Sequence, residues 1–201
     1  MSIKPFCCYI CQTVKTIRFM AKTDDFEIVK AFIDGNEQAF NLIVKKFQQQ
    51  IYWQIRRMLG DHLDADEVTQ EVLIVLYNKL NTFKFNSALS TWIYRITSTR
   101  TLNYIRKQKL RNFVGLDSDR VTEMSDRQDI IKESEDKEKV EILEKMLQKL
   151  PVKQREVFIY KKFDNLSYEE ISEITGKSVG GLKANYFNAM KKISELMDGK
   201  L

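Results

Sequence analysis

Through most of this chain apolar residues recur every three or four positions, the spacing that gathers them on one face of an α-helix. The pattern yields helices and almost nothing else, so the expected fold class is all-α. Phe26, Val29, Phe32 and Ile33 mark a short first helix from Asp24 to the stop at Asp34-Gly35. Asn36 is placed to cap a second, which carries Phe40, Ile43, Val44, Phe47, Ile51, Ile55 and Leu59 and ends at Gly60. Asp64 is expected to cap a third, with Val68, Val72, Leu73, Val75 and Leu76 inward, running to about Leu80 before a loop over Asn81 to Ala88. A fourth begins near Ser90 and carries Trp92, Ile93, Ile96, Leu102 and Ile105. These four helices form a first domain, residues 23–112, behind an N-terminal tail, residues 1–22.

Between residues 113 and 138 the periodicity decays. From Gly115 to Glu138 nine acidic residues stand against four basic ones, which describes a flexible acidic linker, either a solvated tether or a segment with its own binding role. Periodicity resumes at Val140, Leu143, Met146, Leu147 and Leu150 and breaks at Pro151, a residue suited to a helix start and not to its interior. A helix through Val157, Phe158 and Tyr160 follows. Ser167-Tyr-Glu-Glu170 then reads as a capping box, leading into Ile171 and Ile174 and stopping at Gly176. Ser178 caps the last helix. Helix, short glycine-containing turn, helix is a helix-turn-helix signature, so the second domain, residues 139–201, is expected to contain one.

The chain has 201 residues with 43% hydrophobic composition, enough for one or two small cores. No apolar run approaches the roughly 18 to 20 residues that cross a bilayer, so no membrane insertion is expected. Cys7, Cys8 and Cys11 all lie in the tail, too local to staple the body of the protein, and a reducing cytoplasm fits. A metal site would want a nearby histidine, and His62 is the only one, expected on a surface loop. No metal, no cofactor and no catalysis are expected: the sequence offers no nucleophile with a base and no phosphate-cradling loop.

Net charge is only +5, but the basic residues cluster. Along the last helix Leu182, Tyr186, Ala189, Ile193 and Leu196 share one face, while Gly180, Lys183, Ala184, Phe187, Asn188 and Lys191 share the other, with no acid from Lys177 to Ser194. The second helix of a helix-turn-helix enters the major groove by its N-terminal part, where a glycine lets the backbone come close and the free N–H groups meet phosphate. The plainer alternative is that Gly180 and Gly181 merely loosen a surface helix. From Ser90 to Arg111 stand six basic residues and no acid, interleaved with Trp92, Tyr94 and Tyr104. Cations with flat rings suit unpaired nucleic acid, unless the rings are simply core. Asp64, Asp66, Glu67 and Glu71 gather at the start of the preceding helix, complementing its dipole or meeting a basic protein partner.

The runs Asp64-Ala-Asp-Glu-Val-Thr-Gln-Glu71, Ser90-Thr-Trp-Ile-Tyr-Arg-Ile96, Leu150-Pro-Val-Lys-Gln-Arg-Glu-Val-Phe158, Leu166-Ser-Tyr-Glu-Glu-Ile171 and Ser178-Val-Gly-Gly-Leu-Lys183 occur in the order found in bacterial extracytoplasmic-function sigma factors of the sigma-70 class, which the chain resembles from about Asp24 to Met197. The resemblance implies an initiation factor that directs core RNA polymerase to promoters and promotes melting. The first domain would correspond to sigma region 2, the second to region 4. Asp66, Glu67, Gln70 and Glu71 would dock on the coiled coil of the polymerase's largest subunit, with the flap as a further polymerase contact. The loop Phe83, Lys84, Phe85, Asn86 and Ser87 would hold a base flipped from the −10 element, with Thr99, Arg100, Asn103, Arg106 and Lys107 along the adjoining DNA path. Ser178, Gly180, Lys183, Ala184, Phe187, Asn188 and Lys191 would meet the −35 duplex. The sequence departs from the family's usual Asn at Thr99 and Asp at Asn103. A membrane-bound anti-sigma factor is a partner the resemblance leaves open. The alternative is a helix-turn-helix regulator that binds duplex DNA without polymerase.

Overall fold

A computed structural model describes residues 21–114 and 135–199, and these form eight α-helices and one 3₁₀ turn. The tail with its three cysteines, up to residue 20, and residues 115–134 of the acidic linker lie outside the described residues. The first half contains α1 (Ala21–Ile33), α2 (Gln38–Leu59), α3 (His62–Lys79), a 3₁₀ turn (Leu80–Thr82) and α4 (Leu89–Val114). The second contains α5 (Glu135–Gln148), α6 (Val152–Lys162), α7 (Tyr168–Thr175) and α8 (Val179–Met197).

The first half is built on most of the expected stripes, except that Phe26 and Ile33 of α1 lie off the buried side, 45% and 43% exposed, because only Val29 and Phe32 of that helix are buried in the core. Val29, Phe32, Ile43, Phe47, Ile51, Ile55, Val68, Val72 and Leu76 are buried together, joined by Leu80, Phe83, Leu89 and Ile93. Helix α2 ends where Gly60 takes a φ of 81° and returns its N–H to the Arg56 carbonyl, a left-handed cap that glycine adopts without strain. Two starts differ from the sequence reading. The cap of α3 is Asp61, whose side chain accepts from the Asp64 N–H at 2.8 Å, so His62 is the first helical residue and not part of a loop. Asp64 is instead buried in the first turn, where its carboxylate accepts from the Tyr104 hydroxyl at 2.7 Å and the Gln108 amide at 3.1 Å. The cap moved because either of two neighbouring aspartates can serve, and the one three residues earlier leaves the other free to join α3 to α4. Asn36 does accept from a helical N–H, that of Gln38, but from one residue outside the cap position.

Helix α5 begins at Glu135, inside the expected linker. The sequence of its first turns contains Glu135, Asp136 and Glu138, residue types that favour a helix N-terminus electrostatically without leaving any apolar periodicity to read. Downstream, the capping box is present: the Glu170 N–H donates to Ser167 Oγ at 3.1 Å and the Ser167 N–H to Glu170 Oε2 at 2.8 Å. Gly176 closes α7 with a φ of 69°, and Ser178 accepts from the Gly181 N–H at 3.3 Å to open α8. The helix-turn-helix is therefore α7, a two-residue turn beyond its glycine cap, and α8.

The two halves are docked on each other. Met58 of α2 packs with Leu147, Leu150, Phe158, Ile159, Ala189 and Ile193 of the second half, with Leu102 and Ile105 of α4 alongside. Tyr94 of α4 packs with Val157, Tyr160, Leu166, Ile171, Ile174 and Leu182. Polar groups are threaded through this seam. Arg155 donates to the Met58 carbonyl at 2.5 Å and to the Gln148 carbonyl at 2.8 Å, and Gln54 donates to the Tyr160 hydroxyl at 2.8 Å. Ser98 of α4 donates to Glu156 at 2.6 Å, and Glu156 is also paired with Lys177.

Candidate nucleic-acid interface

Helix α8 presents two distinct faces. Leu182 and Ala189 are wholly buried and Ile193 nearly so, while Lys183, Ala184, Phe187, Asn188 and Lys191 are all exposed, as are Ser178 and Gly180. The two glycines have different reasons. A Cβ on Gly181 would lie 3.2 Å from the Ser178 hydroxyl that caps the helix, whereas one on Gly180 would meet nothing within 4 Å. Bare backbone at Gly180 is thus not demanded by anything within the fold. Phe187 is 69% exposed in the middle of this face, and Lys191 is loosely paired with Glu195 at 3.9 Å.

In α4 the interleaved rings are occupied. Trp92 packs on the first core with its ring 5.3 Å from that of Phe83. Tyr94 is buried in the seam, and Tyr104 is committed to Asp64. Of the alternatives open for these rings, core packing describes all three. The cations and polar groups around them are outward: Thr99, Asn103, Arg106 and Lys107 are exposed and Arg100 half-buried, with Arg106 donating to the Asn103 side chain at 2.9 Å. Arg95, at the seam, donates to the Glu173 carbonyl at 2.8 Å.

The loop after the 3₁₀ turn splits into floor and rim. Phe83 is buried, while Lys84, Phe85 and Asn86 are exposed and Ser87 is half-buried. Phe85 has a φ of 57°, a left-handed backbone that a bulky side chain rarely adopts and that costs of order 1 kcal/mol or more.

On α3 the residues Glu67, Gln70 and Glu71 are exposed and Asp66 is half-buried, its carboxylate 3.5 Å from His62 Nε2. His62 shares a 2.5 Å hydrogen bond with the Tyr52 hydroxyl through Nδ1. Sequence reasoning missed two residues here: Leu63 and Ile74, 65% and 62% exposed, extend the same face by one turn at each end. Their signal was present, since both fall off the buried stripe of Ala65, Val68, Val72 and Leu76. The resulting surface is an acidic centre between two apolar ends, a composition suited to a basic amphipathic partner. Among the described residues no group of three or more His, Cys, Asp or Glu side chains is arranged to hold a metal ion.

Residues 43–111 match the family described as Sigma-70 region 2, and residues 140–193 match Sigma-70, region 4. The chain is 32% identical over 162 residues to the ECF RNA polymerase sigma factor SigW of Bacillus subtilis, covering 77% of this chain and 87% of that protein. The chain belongs to the extracytoplasmic-function sigma factors. It is also 28% identical over 188 residues to the RNA polymerase sigma-H factor of Pseudomonas aeruginosa, covering 89% of this chain and 96% of that one. Among solved structures its fold is similar to that of the sigma factor RpoE in complex with the anti-sigma factor NepR from Bartonella quintana, with a TM-score of 0.61 and 22% identity over 79% of this chain and 96% of that chain. As a sigma factor it directs core RNA polymerase to promoters for transcription initiation, and a regulator working without polymerase is not favoured.

Proposed function

We propose that the sigma factor divides promoter recognition among three separate surfaces: α3 for polymerase, the Lys84–Ser87 rim with the outer face of α4 for the melted −10 element, and α8 for the −35 duplex. The observation that carries this is the sorting of charge and exposure. The face of α8 is open, basic and free of acids as far as Ser194, while that of α3 is open, acidic and bordered by Leu63 and Ile74. Cations neutralise phosphate on one side, and acids with apolar flanks complement a basic helix on the other. The protein acts as a binding factor that is not itself an enzyme: holding unstacked bases shifts the duplex toward its open state by mass action. Work on promoter DNA implies a cytoplasmic protein. An anti-sigma protein is a further partner, by likeness to the Bartonella factor, whose structure is a complex with one.

Opposed charge reversals separate the surfaces. Lys183→Glu places like charge against phosphate and base acceptors and is expected to abolish binding to −35 duplex while polymerase affinity is kept. Glu71→Lys is expected to weaken polymerase affinity while duplex recognition by α8 is kept. Pull-down of core subunits and mobility shift on promoter duplex read the two effects. If both variants lose both activities alike, the division of labour is wrong.

A further inference from the structure

Four aromatic rings form a ladder across the first half. Trp92 of α4 lies 5.3 Å from Phe83, Phe83 lies 4.9 Å from Phe85, and Phe85 lies 4.8 Å from Phe26 of α1. The Trp92–Phe83 end is rooted in the core, whereas Phe26 and Phe85 are 45% and 39% exposed. Two large rings kept side by side in water forgo burial, and one is held there by a left-handed backbone at φ 57°. Strain and exposure at the same ring point to a function outside the fold's own stability. The charges nearby are mixed: Lys84 is exposed beside Phe85 and Asp25, next to Phe26, has its carboxylate tied to Lys46 at 2.5 Å, while Glu27 on the other side of Phe26 is exposed, so what the two rings offer a nucleic acid is stacking rather than net charge.

We infer that Phe26 and Phe85 together form the ledge on which one unpaired base of the opened DNA strand is stacked, with Phe26 supplying a wall from outside the loop. The inference rests on reading the loop as the −10 contact and adds to it a residue of α1. Stacking on an aromatic face is tolerant of base identity, and its loss costs of order tenfold in affinity. The loop's own Phe83 is the buried floor beneath the ledge and touches no base.

The test begins with duplexes selected from a randomised library by the full chain bound to core polymerase. Each thymine of the strand that opens is then replaced in turn by 5-iodouracil, and photocross-links are mapped by mass spectrometry. Cross-links to Phe26 and Phe85 from a single position are expected. Phe26→Leu, which keeps the apolar contact and removes the ring, is expected to lower promoter opening about tenfold with polymerase affinity and Tm unchanged. Phe85→Gly relieves the left-handed strain, so it is expected to hold or raise Tm while opening falls; a merely structural ring would lose both together. Cross-links confined to other residues, or a Phe26→Leu protein that opens DNA as well as the parent, overturn the ledge and leave the loop reading standing. If no duplex is opened at all, the loop reading falls and takes the ledge with it.

Discussion

Asp164, just beyond α6, carries a carboxylate whose Oδ2 is buried and has no hydrogen-bond partner among the described residues. Burial pushes its pKa up to about 7, opposed by the Arg57 guanidinium of α2 and by a hydrogen bond from Tyr94 of α4. A folded-state pKa above the unfolded value means that the native protein holds a proton the unfolded chain has released. Stability is then full below about pH 4 and is lost as pH rises toward 7. Asp164→Asn keeps a neutral polar group there, so its Tm is expected to exceed that of the parent at pH 8, with the gain shrinking by pH 5; thermal melts at the two pH values check this. At Gly60 the constraint is steric. Its φ is 81° and an added Cβ would lie 2.5 Å from Cδ of Gln148, a side chain that itself donates to the Arg57 carbonyl at 3.1 Å. Gly60→Ala is expected to destabilise by at least about 1–2 kcal/mol from the left-handed backbone alone, measured by urea unfolding, with further loss from the displaced glutamine.

At the scale of elements, most of the fold was legible because its signals are local. Glycine at 60 and 176, the Ser167–Glu170 box and the Ser178 cap all stand where the sequence put helix ends, since each satisfies backbone groups within four residues of itself. The stripes of α2 and α8 were legible for the same reason. What escaped was the choice between Asp61 and Asp64 as a cap, which depends on Tyr104 forty residues away, and the start of α5, which has charge but no period. Of the candidate surfaces, the outward face of α8 could be read from its periodicity, whereas the burial of Tyr94 and Phe83 could not, because their partners lie on other helices. Gly180 allows the element's two demands to be separated. Alanine there meets no atom within 4 Å and favours helix by about 1 kcal/mol, so Gly180→Ala is expected to raise Tm while weakening −35 duplex binding, if close approach is the reason for the glycine. Gly181→Ala gains less, because its Cβ crowds the capping hydroxyl at 3.2 Å.

The docking of the two halves is the feature of the whole molecule that periodicity could not convey. Leu102 and Ile105 read as ordinary inward positions of the first domain and Tyr94 as a ring among its cations, yet in the structure all three pack on the second half. A seam made only of apolar residues would resemble a single core cut in two. This one also carries Arg155, whose pKa burial lowers to about 10, with its Nε unpartnered, and Glu156, which bonds across to Ser98 and within its own half to Lys177. Buried charge of this kind adds little net stability even when paired, because desolvation offsets the attraction, and costs much when the pairing is broken. Such a seam suits halves that separate for work and close again at rest, resembling a transient interface more than an obligate one. Ser98 offers a way to break it without harming either half, since its side chain faces Glu156 only while the halves are docked. In Ser98→Asp two carboxylates meet at about the distance of that hydrogen bond, a repulsion of about 6 kcal/mol at an effective dielectric near 20, and opening relieves it by returning the introduced carboxylate to water. The variant is expected to keep its helical circular dichroism while its radius of gyration by small-angle X-ray scattering increases. A scattering curve identical to that of the parent would mean that the apolar contacts of Met58 and Tyr94 hold the halves together regardless of the charges between them.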